Sequence, residues 1–332
     1  MTALSIVADL GGTNTRVALA TGDVVRPDSV RKFPNAEYKE RGQSIGDILH
    51  DYLAAMGLSS VDGVCVAAAG PVRHGVAEMT NLEWTFDGTA LAMATGAARV
   101  AILNDLQAQG QALGHIAPGN IREVASGMSE AGAAMLVVGI GTGFNAAPVH
   151  DTASGRVVPP SECGHTTMSV RTERDLRLAR FSEVYGDHAH GFAGVEDVLS
   201  GRGLERLYAF TTWEAGHLTH ASSTGIMAAI AAGDPVAVET AGYFVRLLGA
   251  EIGDLALIHL PYGGVYLIGG IARAMLPYFG DMGFAAAFRD KGRFAGFMNN
   301  FSVSVVEDDY AALTGCAVYL AQGGRGQAKG HP

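Results

Sequence analysis

The sequence predicts an α/β fold built from two related halves, and three observations carry that expectation. Short runs of small and β-branched apolar residues alternate with helical periodicity along the whole chain. Two of those runs are broken by glycine turns of the same design: "VADLGGTNTRVAL" is matched 130 residues later by "VVGIGTGFNAAPV", which lays Asp9 over Gly139 and Gly11 over Gly141. Finally, 332 residues with 48% apolar side chains and 45 glycines give room for two cores and many tight turns.

Taken in order, "LSIVADL" (4–10) and "TRVALA" (15–20) read as strands joined by Gly11-Gly12-Thr13-Asn14, a hairpin. Residues 43–57 have helical spacing, and "GVCVAAAG" (63–70) is a buried strand stopped by Gly70-Pro71. "RVAILND" (99–105) is a second buried strand followed by helical spacing, and 133–150 form the second hairpin. Residues 172–186 and 235–258 predict helices; "GVYLIGG" (264–270) predicts a strand that leads into a helix near 271–279. The tail 323–332 is low in complexity, with terminal composition that predicts mobility.

A formal charge of −10 argues against binding nucleic acid or anionic membrane through a broad basic surface. Any anionic substrate must then be held locally. Cys65, Cys163 and Cys316 are odd in number, far apart and without CxxC spacing, so neither a disulfide framework nor a structural zinc is expected. The amino terminus lacks a basic n-region, and the apolar segment 255–279 is interrupted by His259, Pro261 and glycines, so the expected location is cytoplasmic.

The chemistry-bearing motifs follow the same strands. A glycine-rich β-turn presents N–H groups at close range to a phosphate; Gly11, Gly12, Thr13 and Asn14 form one such surface, and Gly141 with Thr142 form another. Asp9, at the end of its strand, is placed to hold a hydrated Mg2+. Gly139-x-Gly141-x-Gly143 is not a dinucleotide fingerprint, and no P-loop motif is present. Asn104 and Asp105 stand at the carboxyl end of a buried strand, where a carboxylate can take a proton from a hydroxyl; the same two residues are also favoured helix caps. "PPSECGHTT" (159–167) packs Glu162, Cys163 and His165 together, which admits a metal site, a thiol–imidazole pair, or hydrogen-bonding groups for a polyol, a role Glu196 could share.

With these residues in view, the chain resembles the bacterial ATP-dependent glucokinases of the non-ROK type, in the hexokinase and actin-like ATPase superfamily. The resemblance runs through "DLGGTNTRVAL" (9–19), "AGPV" and "MTNLEW" (69–84), "LNDLQAQ" (103–109), "GIGTGF" (139–144), "ECGH" (162–165), "EDVLSGRGL" (196–204), "GGVYLIGGI" (263–271) and "FRDKGRF" (288–294). It implies two actin-like (ribonuclease H-like) α/β domains flanking a catalytic cleft: a small one of 1–108 plus 308–325, a large one of 109–307, and a flexible tail 326–332. It further implies a glycolytic enzyme that makes glucose 6-phosphate from glucose and ATP. Asp105 would be the general base on the 6-hydroxyl, and Asn104, Glu162, His165 and Glu196 would hold the other hydroxyls. Gly11, Gly12, Thr13, Asn14, Gly141 and Thr142 would line the phosphates, Asp9 would orient Mg2+ through water, and Gly269 and Gly270 would sit beside the adenosine. Members of the family are often homodimers.

The chain departs from the family pattern in two loops. The sugar loop, usually GEGGH, is here Ser161-Glu162-Cys163-Gly164-His165, and the phosphate-side loop, usually GTGLG, is Gly141-Thr142-Gly143-Phe144-Asn145. Asn145 is expected to keep the turn by adopting a left-handed backbone, and Phe144 to crowd the sugar region. A kinase for another hexose therefore stays open. A non-catalytic sugar sensor is the weaker alternative, because both Asp9 and Asp105 are retained.

Overall fold

The structure is a computed structural model that describes residues 3–79, 82–185 and 190–323. Thr80 and Asn81 of "MTNLEW" and the tail 326–332 lie outside the described residues. The chain divides into two compact units: the first comprises the chain up to Ala117, Val149–Pro160 and the chain from Asp308, and the second comprises Pro118–Pro148 and Ser161–Glu307. The expected boundary at 108/109 would cut the helix Asp105–Ala112 in two, and Ala108 belongs to the same apolar cluster as Leu313 and Cys316 of the first unit. The strand Phe144–Thr152 leaves the second unit at Pro148, and its far end pairs with Gly155–Val157 in the first.

The sheet of the first unit runs Val24–Val25, Asn14–Thr21, Leu4–Leu10, Gly63–Ala68, Arg99–Asn104, with Arg31–Pro34 also paired to Asn14–Thr21. Leu4–Leu10 is antiparallel to its hairpin partner and parallel to Gly63–Ala68, which is parallel to Arg99–Asn104. Both faces are covered. Ile6, Ala8 and Leu10 pack on one side with Ile48 and Tyr52, while Val7 packs on the other with Leu313 and Cys316. That is why these strands read as unbroken apolar runs rather than alternating ones.

The second unit repeats the plan. Met135–Ile140 lies between Phe144–Thr152 and Val265–Ile268, and it is parallel to Val265–Ile268, which is parallel to Val303–Val306; Ile121–Ala125 closes the edge. The echo between the two hairpins is thus a shared topology: hairpin, then two parallel strands added on the same side. The long helix Pro235–His259 fills this unit with Phe244 and Leu248, both fully buried. No helix among the described residues is long and apolar enough to cross a membrane.

The topology fixes where polar groups can gather. Register places Leu10 opposite Ala68 and Ala68 opposite Asn104, so the loops after all three strands open at one sheet edge. In the second unit Gly139 stands opposite Ile268, and the turns at Gly141 and Gly269 open likewise at carboxyl ends. Such edges are where α/β sheets bind ligands, because the chain reverses there and frees backbone N–H groups.

The carboxyl-terminal helix Ala311–Ala321 packs on Asp105–Ala112 so closely that a Cβ at Gly315 would overlap the Ala108 carbonyl. Gly315→Ala is expected to lower stability by about 1–3 kcal/mol through overpacking. Urea unfolding checks this, and an unchanged midpoint would show that the two helices do not meet at this point.

Candidate active site

In the first unit the hairpin turn closes through a hydrogen bond from the Gly11 N–H to the Asn14 carbonyl at 3.1 Å, leaving Gly12 and Thr13 exposed at its tip. Asn35, wholly buried, supports the turn from beneath. Its Nδ2 donates to the Gly11 carbonyl (2.8 Å), its Oδ1 accepts from Thr15 Oγ1 (2.7 Å), and its backbone N–H donates to the Thr13 carbonyl (2.9 Å). Sequence reasoning missed Asn35 because it lies twenty residues away, with no local pattern to mark it.

Asp9 stands directly across the ladder from Arg16, and Arg16 Nη1 reaches Asp9 Oδ2 at 3.4 Å. Burial pushes the Asp9 carboxyl above the usual range, and Arg16 only partly offsets this. A part-buried carboxylate of this kind favours a further cation nearby. Among the described residues no three His, Cys, Asp or Glu side chains come together in a way that would hold a metal ion. A Mg2+ that keeps its waters and rides on a nucleotide's phosphates needs one carboxylate, not a cage, so Asp9 fits that role.

Asn104 caps the helix Asp105–Ala112: its Oδ1 accepts from the Leu106 N–H (3.0 Å), and its own N–H donates to Gln107 Oε1 (3.1 Å), a reciprocal box. Its Nδ2 donates to the Gly70 carbonyl (3.1 Å), which ties the cap to the loop after the neighbouring strand. Asp105 is therefore the first residue of a capped helix. Its Oδ1 accepts from the Leu106 N–H (2.8 Å). Burial, the dominant cause, together with the negative charge of Asp9, pushes its pKa up to about 6 against the Leu106 hydrogen bond.

The second unit gathers the other predicted residues. Gly141 and Thr142 form the turn, and the Gly201 N–H donates to the Gly141 carbonyl (2.7 Å), which brings in the start of the helix Gly201–Glu214. Gly269, at φ 103°, lies against the Ile140 carbonyl, where a side chain would collide, and Gly270 is exposed beside it. Glu196 links the turn to the loop 161–165: its Oε2 accepts from the Phe144 N–H (2.9 Å), and its backbone N–H donates to the Gly164 carbonyl (2.8 Å). Its Oε1 pairs with Arg202 at 3.1 Å. Gly164 is packed against the Phe144 carbonyl with no space for a side chain. Glu162 and His165 are exposed on this loop, and the His165 N–H donates to the Glu162 carbonyl (3.1 Å).

Two expectations at the altered loops are corrected. Phe144 does not project into open space beside the loops; it is 3% exposed and packs in the core of the second unit. Asn145 is not left-handed but lies in the strand Phe144–Thr152, and the non-glycine residues with positive φ among those described are His74, Glu83 and Leu260. Cys163 does not favour the thiolate, since burial pushes its thiol up, and its Sγ lies 3.5 Å from Asn145 Oδ1.

Comparison with known proteins identifies the family. The glucokinase family profile matches residues 6–323. A glucokinase from Marinobacter nauticus is 31% identical over 327 residues, covering 95% of this chain and 97% of its own length. The crystal structure of a glucokinase from an Antarctic psychrotroph superposes with a TM-score of 0.84 at 28% identity, over 96% of this chain and 99% of that one. A ROK-family glucokinase from Streptomyces griseus, in complex with glucose and AMPPNP, shares the fold with a TM-score of 0.59 at 19% identity, over 96% of this chain and 99% of that one. With one family profile spanning both units and relatives matched end to end, the chain belongs to the glucokinase family.

Proposed function

We infer that the chain transfers the γ-phosphoryl group of Mg-ATP to the 6-hydroxyl of glucose, with Asp105 as general base. The observation that carries this is the carboxylate of Asp105, held at the first position of a capped helix, at a ligand-binding sheet edge, with its pKa pushed up to about 6. A base poised just below neutral pH is ionised at rest yet basic enough to accept a hydroxyl proton as the new O–P bond forms. Leu106 holds Oδ1, so Oδ2 takes the proton. The family profile supports the phosphoryl transfer, and the AMPPNP and glucose in the Streptomyces griseus structure support ATP and glucose as the pair of substrates.

In this reading Asn104, Glu162, His165 and Glu196 hold the sugar hydroxyls, and Gly11, Gly12, Thr13, Asn14, Gly141 and Thr142 line the phosphates. Gly269 and Gly270 flank the adenosine, and at Gly270 the missing side chain leaves open space. Asp9 would hold a Mg2+ through water, and the ion would neutralise charge on the polyphosphate. Positioning and electrostatics then account for most of the catalysis, because phosphoryl transfer asks little covalent chemistry of the protein. The second reading, a different hexose as acceptor, is favoured by Ser161 and Cys163 standing in the sugar loop. Mg-ATP-dependent ADP release over a panel of hexoses separates the two.

Asp105→Ala is expected to lower kcat by about 10²–10⁴-fold; near wild-type turnover would overturn the assignment. Because the neutral acid cannot accept a proton, kcat/KM is expected to fall as pH drops through about 6, whereas an unshifted aspartate would keep activity down to about pH 4. Glu162→Gln is expected to raise the glucose KM by about tenfold, the worth of one charge-assisted hydrogen bond, with little change in the ATP KM. Steady-state kinetics in both substrates check this, and equal shifts would assign the loop a structural role only.

A further inference from the structure

Residues 144 and 145 follow directly on the phosphate-side turn, and being successive residues of a strand they face opposite ways. Phe144 enters the core, and Asn145 turns toward the loop that carries Glu162 and His165. The Asn145 carboxamide bonds that loop on both sides of Glu162. Its Nδ2 donates to the Ser161 carbonyl, and its Oδ1 accepts from the Cys163 N–H at 3.2 Å. The same oxygen accepts from the Ala146 N–H (2.9 Å), which fixes the plane of the amide. Ser161 Oγ adds a second acceptor for the Cys163 N–H, also at 3.2 Å.

This pattern needs a carboxamide. The Ser161 carbonyl can only accept and the Cys163 N–H can only donate, so the bridging side chain must carry a donor and an acceptor on one rigid plane. Glu162, between them, has φ −132° and ψ 42°, outside helix and strand, and no regular ladder holds it there. An exposed residue in such a conformation samples alternatives unless its flanking peptides are pinned. Asn145 pins both, and it does so from the strand that also forms one side of the phosphate turn.

We propose that Asn145 is a positioning residue for the hexose: it presets the backbone of Glu162, so that the Glu162 carboxylate meets the sugar without reorganisation. The proposal rests on the sugar-side role of Glu162 given above. The Asn145 carboxamide spends its donor and its acceptor on Ser161, Cys163 and Ala146. Its effect is therefore expected in sugar affinity and in discrimination among hexoses, and it should vanish when Glu162 no longer supplies a carboxylate.

The test is a double-mutant cycle of Asn145→Ala with Glu162→Gln, in full-length protein. Glucose KM, ATP KM and kcat are read by steady-state kinetics, glucose Kd by calorimetry, and stability by thermal unfolding. Asn145→Ala is expected to raise glucose KM and Kd by about tenfold and to keep the ATP KM within about twofold; the double variant should match Glu162→Gln alone within about twofold, as residues acting through one another are not additive. If Asn145→Ala fails to fold, Asn145→Asp serves. It keeps the shape and the acceptor but loses the donor to Ser161, and it should show the same selective loss of glucose affinity. Additive effects in the cycle, or a parallel change in both KM values and kcat, would overturn the proposal. A Glu162→Gln enzyme with unchanged glucose KM would instead overturn the sugar-side reading on which it depends.

Discussion

The amino terminus of the helix Asp105–Ala112 is the constraint on which the first unit's functional edge depends. The Leu106 N–H, which donates to Asp105 Oδ1, and the helix dipole favour an anion there, while burial and the charge of Asp9 oppose it. The balance holds Asp105 close to its ionisation point. It survives because each component is fixed: Asn104 caps the helix from the preceding strand, Gln107 returns the bond to the Asn104 N–H, and the Gly70 carbonyl holds the cap's amide. At the other end of the helix Arg156 donates to the carbonyls of Gly110 and Gln111 at 3.3 and 3.1 Å, so the late carbonyls are also satisfied.

The second unit solves a different problem. Its loops 141–143 and 161–165 are framed by side chains as well as by the start of the helix Gly201–Glu214, whose first N–H meets the Gly141 carbonyl. Glu196 fastens the turn to Gly164 by one backbone and one carboxylate bond, and Asn145 fastens the same strand to Ser161 and Cys163. Both braces start from the dipeptide Phe144-Asn145. Its backbone holds the acid and its carboxamide holds the loop.

What could be read in the sequence, and what could not, follows from the range of the interactions. Gly63–Ala68 announces itself because a strand buried at every position must be apolar throughout, and Leu4–Leu10 and Arg99–Asn104 do so by their apolar middles, although Arg99–Asn104 is only partly buried. The two glycine turns are legible as breaks between apolar runs, and the 130-residue echo correctly marks a repeated topology. The roles of the site residues came from resemblance to the family, not from spacing. Asn35, Arg156 and Gly315 were invisible, since each acts on backbone that is distant in sequence. The orientations of Phe144 and Asn145 were within reach: the two-residue period along "FNAAPV" places Phe144 and Ala146 on one face and Asn145 on the other. Assigning Asn145 to the turn rather than to the strand hid that parity.

The return of the carboxyl-terminal helix to the first unit has a consequence for how the protein is made. Ala311–Ala321 covers a sheet face formed by Val7, Ala18, Cys65 and Leu103, all synthesised long before it. At about 5–20 residues per second, the ribosome needs on the order of ten seconds or longer to make the chain between that sheet and its covering helix. At the end of that interval the second unit, contained in Pro118–Pro148 and Ser161–Glu307, has all of its own segments, while the first still lacks one wall of its core. The half of the enzyme that begins the chain is therefore the last to finish folding, and its open sheet face is the surface a chaperone would meet on the nascent protein.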